Sequence, residues 1–156
     1  MGYEIPRKVQ ILGQDIQQDQ LKYHHKTVLV SKEFTFDSAH HLHCYEANAR
    51  TSTATLISCR CSWQAKWMRE GLRSILRISK GLSKKRVLDR LDHKYLNETL
   101  PPMNTTAENM VVWMYEQIDG ALKDEGLYPD IKLEEMRLWE TPTSYAAVTR
   151  AWMEEE

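Results

Sequence analysis

The pattern between Thr27 and His40 constrains the fold more than any other feature of this chain. The content of β-branched and aromatic residues rises there, and toward its end every second side chain falls on one face, opposite Glu33, Thr35 and Asp37. The recurring positions are Phe34, Phe36, Ser38 and His40. Because a strand directs alternate side chains to opposite faces of its sheet, we expect a strand with one apolar face that ends in His40. Taken alone, a histidine in this place most simply closes off that face.

A long helix is expected after Pro101-Pro102. Thr105 and Glu108 have the spacing of a capping box, with Thr105 as the N-cap and Glu108 three residues inside the helix. From there an apolar face continues to about Lys123. Its residues are Val111, Met114, Tyr115, Ile118 and Leu122. A shorter helix is expected over residues 84–91, with a buried stripe of Val87, Leu88 and Leu91.

The last part of the chain predicts two strands, over residues 131–140 and 145–149, joined by a turn at Pro142. This order of elements is typical of an α+β fold, an antiparallel sheet with helices on one face. With 156 residues, 42% of them hydrophobic, the chain is long enough for one domain. We assign that domain to residues 27–156 and interpret the polar residues 1–26 as a leader.

Composition argues against a membrane-spanning protein and against a secreted, disulfide-bonded protein. No apolar run approaches the roughly 20 residues of a membrane span, and the N-terminus lacks the apolar stretch of a signal peptide. The three cysteines, Cys44, Cys59 and Cys61, do not form the even set of a secreted disulfide framework. We therefore expect a soluble, cytoplasmic protein with reduced thiols.

Residues 47–86 form a strongly basic block. They contain ten Lys or Arg residues and one acid, Glu70, whereas the formal net charge of the whole chain is −1. The remainder of the chain is therefore slightly more acidic than the block is basic. So abrupt a change indicates an interaction segment or a stretch of different origin.

Four motifs lie outside this block, in a fixed order along the chain. They are Phe34-Thr-Phe-Asp-Ser-Ala-His40, Arg90-Leu-Asp-His-Lys-Tyr-Leu-Asn97, Asn104-Thr-Thr-Ala-Glu-Asn109 and Leu138-Trp-Glu-Thr141. Together they resemble the signatures of the 6-pyruvoyl-tetrahydropterin synthase family, and most closely its bacterial branch, 6-carboxy-tetrahydropterin synthase of queuosine biosynthesis, a tRNA modification pathway. The resemblance implies the tunnelling fold (T-fold), a four-stranded antiparallel sheet with two helices on one face. It also implies homo-oligomers with active sites at subunit borders.

The same resemblance assigns roles to individual residues. The family holds a zinc ion with three histidines, and His40 corresponds to one of them. Asp92 and His93 correspond to catalytic residues, Glu140 to the carboxylate that anchors the pterin ring, and Glu108 to a residue near the same pocket. The implied reaction converts 7,8-dihydroneopterin triphosphate into 6-carboxytetrahydropterin, with loss of triphosphate and acetaldehyde. The implied partner is a small pterin, with no membrane and no direct nucleic acid.

These residue types suit that chemistry. Zinc with an open position polarises substrate oxygens, a histidine exchanges protons near neutral pH, and a carboxylate accepts two parallel hydrogen bonds from a guanidine-like edge. Plainer roles remain open, Glu108 as a helix cap and Asp92 and His93 as a polar helix end. His41 and His43 have an i, i+2 spacing that could bind metal, but we expect both to be exposed to solvent.

One motif of the family is absent. Its Cys-x-x-x-Leu-His-Gly-His sequence, which supplies the catalytic cysteine and two zinc histidines, should follow Tyr45-Glu46, where residues 47–58 stand instead. Read one base earlier, a possible set of codons for these residues encodes Gly-Lys-Cys-Lys-Asn-Leu-His-Gly-His-Thr-Tyr-Lys. We therefore interpret residues 47–85 as a compensated frameshift, with a divergent insert as the alternative.

The block has consequences for the chain as written. His40 is then the one carried-over zinc ligand, and a single imidazole does not hold a catalytic zinc. We expect no stoichiometric zinc, no turnover, and impaired folding or assembly, because strands of the family's sheet would fall within the block. Two other interpretations are a pterin-binding relic and a basic helix that binds nucleic acid, an anionic membrane or an acidic partner. The apolar residues of that helix would be Trp63, Trp67, Leu72, Ile75, Leu76 and Leu82.

Overall fold

The computed structural model describes residues 17–20, 26–43, 53–65 and 72–155. Most of the expected leader lies outside these ranges, as do Cys44 and Trp67. The described helices are α1 (Leu72–Ser83), α2 (Asp89–Leu91), α3 (Leu96–Thr99), α4 (Ala107–Asp124) and α5 (Arg150–Met153), with a π-helical turn at Lys84–Leu88 and a 3-10 turn at Gln18–Gln20. The described strands are β1 (Val28–His40), β2 (Thr53–Ala65), β3 (Lys94–Tyr95), β4 (Ile131–Thr141) and β5 (Ser144–Thr149).

These strands form a single sheet in the order β3-β1-β2-β4-β5. β1 and β2 pair antiparallel over their full lengths, from Val28 opposite Ala65 to His40 opposite Thr53. β4 pairs antiparallel with both β2 and β5. The α+β class is confirmed, and the expected count of four strands is corrected to five in the described ranges. The additional strand is the two-residue β3, which pairs in parallel with β1 because the chain after α2 runs alongside the end of that strand.

Part of the basic block, residues 53–65, supplies the central strand of this sheet. In β2, apolar side chains alternate with polar ones, and the apolar set is at most 2% exposed. That set consists of Ile57, Cys59, Cys61, Trp63 and Ala65. Such alternation matches the period of a strand with one buried face, so the segment pairs with β1 on one side and β4 on the other.

The interpretation of the block as one basic amphipathic helix is wrong for its first part. Trp63 lies in β2 and is fully buried. The second part does form the helix α1, but Ile75 and Leu82 on that helix face the core rather than a partner. The following turn and α2 confirm the predicted short helix, and Val87 and Leu91 are buried as expected.

The long helix α4 is confirmed, and all five residues of its predicted apolar face are buried. Its predicted capping box is wrong. The N-cap is Thr106, and its side chain makes no capping hydrogen bond. Thr105 precedes the N-cap by one residue. Its hydroxyl contacts His40 and the carbonyl oxygen of His41 at the end of β1 instead of the helix. None of the described helices has the length and apolar character that a bilayer crossing requires.

Candidate active site

His40 ends β1 on the buried face of the sheet, where it is 7% exposed. Its Nδ1 atom lies 2.9 Å from the hydroxyl of Thr105, just before α4. That hydroxyl donates its proton to the carbonyl oxygen of His41 at 3.2 Å, so it accepts from the Nδ1–H of His40. The other ring nitrogen, Nε2, lies 3.8 Å from Oε1 of Glu140. The fold therefore brings together two predicted site residues that are far apart in sequence.

Glu140 reaches this place from β4. Its side chain is 47% exposed, so the carboxylate is accessible to a ligand from solvent. Leu138, two residues earlier on the same strand, is buried in the core. The strand therefore directs Glu140 toward the helix-covered side at the point where that cover ends, which explains how an acid follows an apolar strand face.

Asp92 and His93 form a second pair, in the turn between α2 and β3. Nδ1 of His93 lies 2.8 Å from Oδ1 of Asp92, which also accepts the backbone N–H of Asp37 at 3.2 Å. His93 has a φ of 56°, in the left-handed region that few residues other than glycine adopt. Its backbone N–H donates to the carbonyl of Asp37 at 2.7 Å, which fixes this conformation against β1. Ser38 adds a hydrogen bond to the carbonyl of Leu91 at 2.7 Å.

A surface pocket of about 480 Å³ lies beside the Asp92–His93 pair. It is lined by residues of β1, β2 and β3, together with His93. Five of the lining residues are exposed, namely Asp37, Ala54, Leu56, His93 and Lys94. The pair can therefore reach a ligand in this pocket, and Asp92, by accepting from Nδ1–H, leaves Nε2 of His93 free to take a proton.

The two pairs remain separate within one chain. In the described ranges, no hydrogen bond or ion pair joins the His40–Glu140 pair to the Asp92–His93 pair. Glu108 lies exposed in the first turn of α4, and within the same ranges it makes no such contact with either pair. The structure thus groups the predicted site residues as two pairs and one outlier.

Sequence reasoning missed the residues that position the end of β1. Asn97 accepts the backbone N–H of His41 at 2.9 Å and donates to its carbonyl at 2.8 Å. His43 is exposed as expected, but His41 is half-buried, because its ring stacks on Tyr95 and its Nδ1 bonds the Tyr95 hydroxyl. An asparagine five residues after Asp92 has no local pattern that would reveal this contact, so only the fold shows it.

The described residues do not fit a three-histidine zinc site. Across residues 26–43, 53–65 and 72–155, no three His, Cys, Asp or Glu side chains group as a metal site would require. His40 has Nδ1 in contact with Thr105, which leaves Nε2 as its one possible ligand atom, and both ring nitrogens of His41 are engaged by Tyr95 and His43. Since a catalytic zinc needs three protein ligands and an open position, we derive no step of the reaction through this metal.

The two described cysteines do not replace the missing catalytic thiol. Burial raises the pKa of Cys61 to about 12, opposed by a hydrogen bond with Ser83. Burial also raises the pKa of Cys59 well above its ordinary value, and the neighbouring Cys61 raises it further. The thiol of Cys61 donates to the sulfur of Met136 at 3.4 Å inside the core. Because only the thiolate is reactive, these side chains serve packing.

Comparison with known proteins decides which family has this arrangement. Residues 29–151 match the family model for 6-pyruvoyl tetrahydropterin synthase. The chain belongs to this family. It is 25% identical over 113 residues to 6-pyruvoyl tetrahydrobiopterin synthase of Dictyostelium discoideum, which covers 64% of this chain and 84% of that protein. The chain is therefore a member of a pterin synthase family, as the four motifs indicated.

Solved structures of the family share the fold. The Caenorhabditis elegans 6-pyruvoyl tetrahydropterin synthase superposes with a TM-score of 0.65 at 17% identity, covering 82% of this chain and 99% of that chain. The Plasmodium falciparum enzyme gives 0.63 at 18% identity, covering 78% and 96%. The expected T-fold is thus confirmed, with the additional short strand β3. These relatives are named for the pyruvoyl-forming reaction, and the carboxy-forming branch stays a prediction.

Proposed function

We propose that this chain, once the reading frame of residues 47–85 is restored, is a pterin-binding lyase of the 6-carboxytetrahydropterin synthase type, acting in the cytoplasm in queuosine biosynthesis. Its substrate would be 7,8-dihydroneopterin triphosphate, and its product 6-carboxytetrahydropterin, with release of triphosphate and acetaldehyde. The observation that carries this proposal is the 3.8 Å approach of His40 to Glu140. Two residues a hundred positions apart, both assigned by motif to one site, meet at one accessible end of the sheet.

Glu140 would bind the pterin ring. The guanidine-like edge of a pterin presents two adjacent N–H donors, and an ionised carboxylate accepts both in parallel. Replacing Glu140 by glutamine would leave one acceptor and remove the charge, so we expect pterin affinity to fall about 10- to 100-fold. Glu125→Gln is the matched control, because that exposed carboxylate lies beyond the far end of α4.

Asp92 and His93 would handle protons on the substrate side chain. Asp92 fixes the ring of His93 through Nδ1, so that Nε2 can exchange a proton with the bound substrate. Since one chain keeps this pair apart from His40 and Glu140, we propose a homo-oligomer in which neighbouring subunits bring the two pairs to one pterin. Glu108, which is exposed, would lie at the edge of the same pocket.

A second candidate function is a pterin-binding relic without turnover. The buried thiols and the incomplete zinc donor set favour it for the chain as written. The two candidates differ in chemistry but share pterin binding, so one experiment separates them.

The experiment compares the written chain with a version whose gene has the reading frame of residues 47–85 restored. Each purified protein is incubated with 7,8-dihydroneopterin triphosphate, binding is followed by pterin fluorescence, and products are separated by chromatography. We expect both to bind pterin and only the restored chain to form 6-carboxytetrahydropterin. Formation of the 6-pyruvoyl product would overturn the assignment to the carboxy-forming branch. Product formation by the written chain would exclude the relic without turnover. If neither protein binds pterin, the proposed function is wrong.

A further inference from the structure

The outer surface of α1 and of the π-helical turn after it is strongly basic. Its exposed cations are Arg77, Lys80, Lys84 and Lys85, which we call the basic stripe. Arg77, Lys80 and Lys84 have the i, i+3, i+7 spacing of one helix face, and Lys85 borders them. We propose that the basic stripe of the chain as written binds the phosphate backbone of duplex nucleic acid. This inference does not rest on the proposed function.

The packing of α1 holds the basic stripe toward solvent. Ile75, Ser79 and Leu82, on the other side of the helix, are at most 3% exposed. The apolar residues that an amphipathic helix would offer to a partner therefore serve the core. What α1 offers to a partner is its charged face, which is held on a folded helix and needs little further ordering when an anion binds.

Most of the charge on the basic stripe is not neutralised by the protein itself. Lys84 forms an ion pair with Asp89. Within the described part of the chain, Arg77, Lys80 and Lys85 make no ion pair with an acidic side chain. Like charges on one helix face repel one another. An anion that contacts several of these cations relieves this repulsion.

Duplex nucleic acid fits the basic stripe better than a membrane or a single strand does. The exposed large apolar side chains of the described residues all lie outside residues 72–91. Along these residues there is thus no exposed apolar side chain to anchor the helix in a bilayer and no exposed aromatic ring on which unpaired bases could stack. From Arg77 to Lys85 the helix rises by about 12 Å, and a duplex presents one phosphate charge about every 1.7 Å of its axis.

We expect this binding to be independent of base sequence. A recognition helix reads base edges by entering the major groove, whereas α1 packs with one side against β1, β2 and α4. The charged side that remains can contact phosphates, which position a protein on a duplex but carry no sequence information. The family resemblance implies no nucleic-acid partner, so we assign this activity to the basic block alone.

The experiment follows the fluorescence anisotropy of a labelled duplex, in a DNA and an RNA version, over a series of salt concentrations. Each neutralised phosphate adds about −0.9 to the slope of log affinity against log salt, so three free cations predict a slope of about −3. Lys80→Gln should make this slope less negative by about 1. Lys132→Gln is the matched control, because it removes one cation from β4, where Lys132 contacts the ring of Tyr128. Equal effects of the two variants would overturn the inference.

Gly81 provides a variant that adds charge to the basic stripe. Gly81 is exposed, and a Cβ there would meet no atom within 4 Å. Gly81→Lys should make the slope more negative by about 1, whereas Gly81→Gln, with a similar helix propensity and no charge, should leave it unchanged. Damage to the fold cannot produce this gain. Identical slopes for the two Gly81 variants would contradict the inference.

Two other anions test the choice of partner. Phosphatidylserine vesicles stand for a membrane, and poly-L-glutamate stands for an acidic protein segment. We expect both to bind more weakly than the duplex at equal concentrations of charge. Tighter binding to either one would overturn the assignment to nucleic acid, and no duplex binding at low salt would overturn the inference as a whole.

A pterin-binding assay separates this inference from the proposed function. The triple variant Arg77→Gln/Lys80→Gln/Lys85→Gln should lose duplex binding and keep the pterin affinity of the unaltered chain. Within the described ranges, none of the three side chains forms an ion pair or hydrogen bond with the site residues His40, Glu140, Asp92 and His93. Duplex binding without pterin binding would refute the proposed function alone, and the reverse result would refute this inference alone.

Discussion

Thr105 shows how one hydroxyl can organise a site. It accepts from His40 and donates to the carbonyl of His41, so it joins the end of β1 to the chain entering α4. The hydroxyl is almost fully buried, at 1% exposure for the residue. Neither bond is visible in the sequence, where the capping-box spacing is the stronger local signal.

We predict that Thr105→Val lowers the free energy of unfolding by about 1–3 kcal/mol, because it leaves the buried Nδ1–H of His40 without an acceptor. The adjacent Thr106→Val should cost less than about 0.5 kcal/mol, since the Thr106 side chain makes no capping hydrogen bond. Urea denaturation of the two variants checks this comparison. Equal losses would show that Thr105 acts through the helix end and not through His40.

The central strand β2 is the element that sequence reasoning misjudged. The basic charges of residues 47–86 suggested an interaction segment. The alternation of apolar and polar residues from Ile57 to Ala65 is nevertheless as regular as the one in β1 and indicates a strand. Period-two alternation predicted β1 correctly. The 3.6-residue period predicted α4, although the predicted N-cap residue was wrong. The motifs singled out the individual residues of the two pairs, whereas the roles of Thr105 and Asn97 depend on contacts between distant segments.

We predict that Trp63→Ala destabilises the protein by about 3–5 kcal/mol, because it opens a cavity in the middle of the sheet. Leu56→Ala on the same strand should cost less than about 0.5 kcal/mol, since Leu56 is 59% exposed on the opposite face. Chemical denaturation of both variants, followed by circular dichroism, measures the difference. Similar losses would contradict the assignment of β2 to this register.

At the scale of the whole molecule, the buried thiols make stability depend on alkaline pH. Folding raises the pKa of Cys61 to about 12 and raises that of Cys59 as well. The unfolded chain releases these protons near pH 8.5 while the folded chain keeps them, so the stability falls as the pH rises above about 8.5.

The expected slope is about 1.4 kcal/mol per pH unit for each thiol between about pH 9 and 10. In the double variant Cys59→Ala/Cys61→Ala, the free energy of unfolding should therefore decline less steeply with pH than in the unaltered protein. The slopes are compared rather than the absolute stabilities, because the alanines also alter packing. Parallel curves would show that the thiols remain protonated in both states or ionise in both.

The origin of the basic block is tested on the intact gene product. Following the frameshift hypothesis, we predict that tryptic peptides of the natural protein depart from the written sequence between residues 47 and 85. The informative peptide is residues 61–66, which trypsin would release from the written chain after Arg60 and Lys66. Its detection by mass spectrometry would show that the written strand β2 is genuine.

The position of β2 between two partner strands means that the fold and the metal chemistry of the family depend on its sequence in different ways. Backbone hydrogen bonds to strands on both sides hold β2 in place. This position in the sheet therefore tolerates changes of sequence that keep apolar residues on the buried face. Histidines that a metal needs have no such freedom, because their identity and not their polarity matters. Under the frameshift hypothesis, a middle strand with a changed sequence would keep the architecture of the sheet and would lose the histidines that the family's motif supplies.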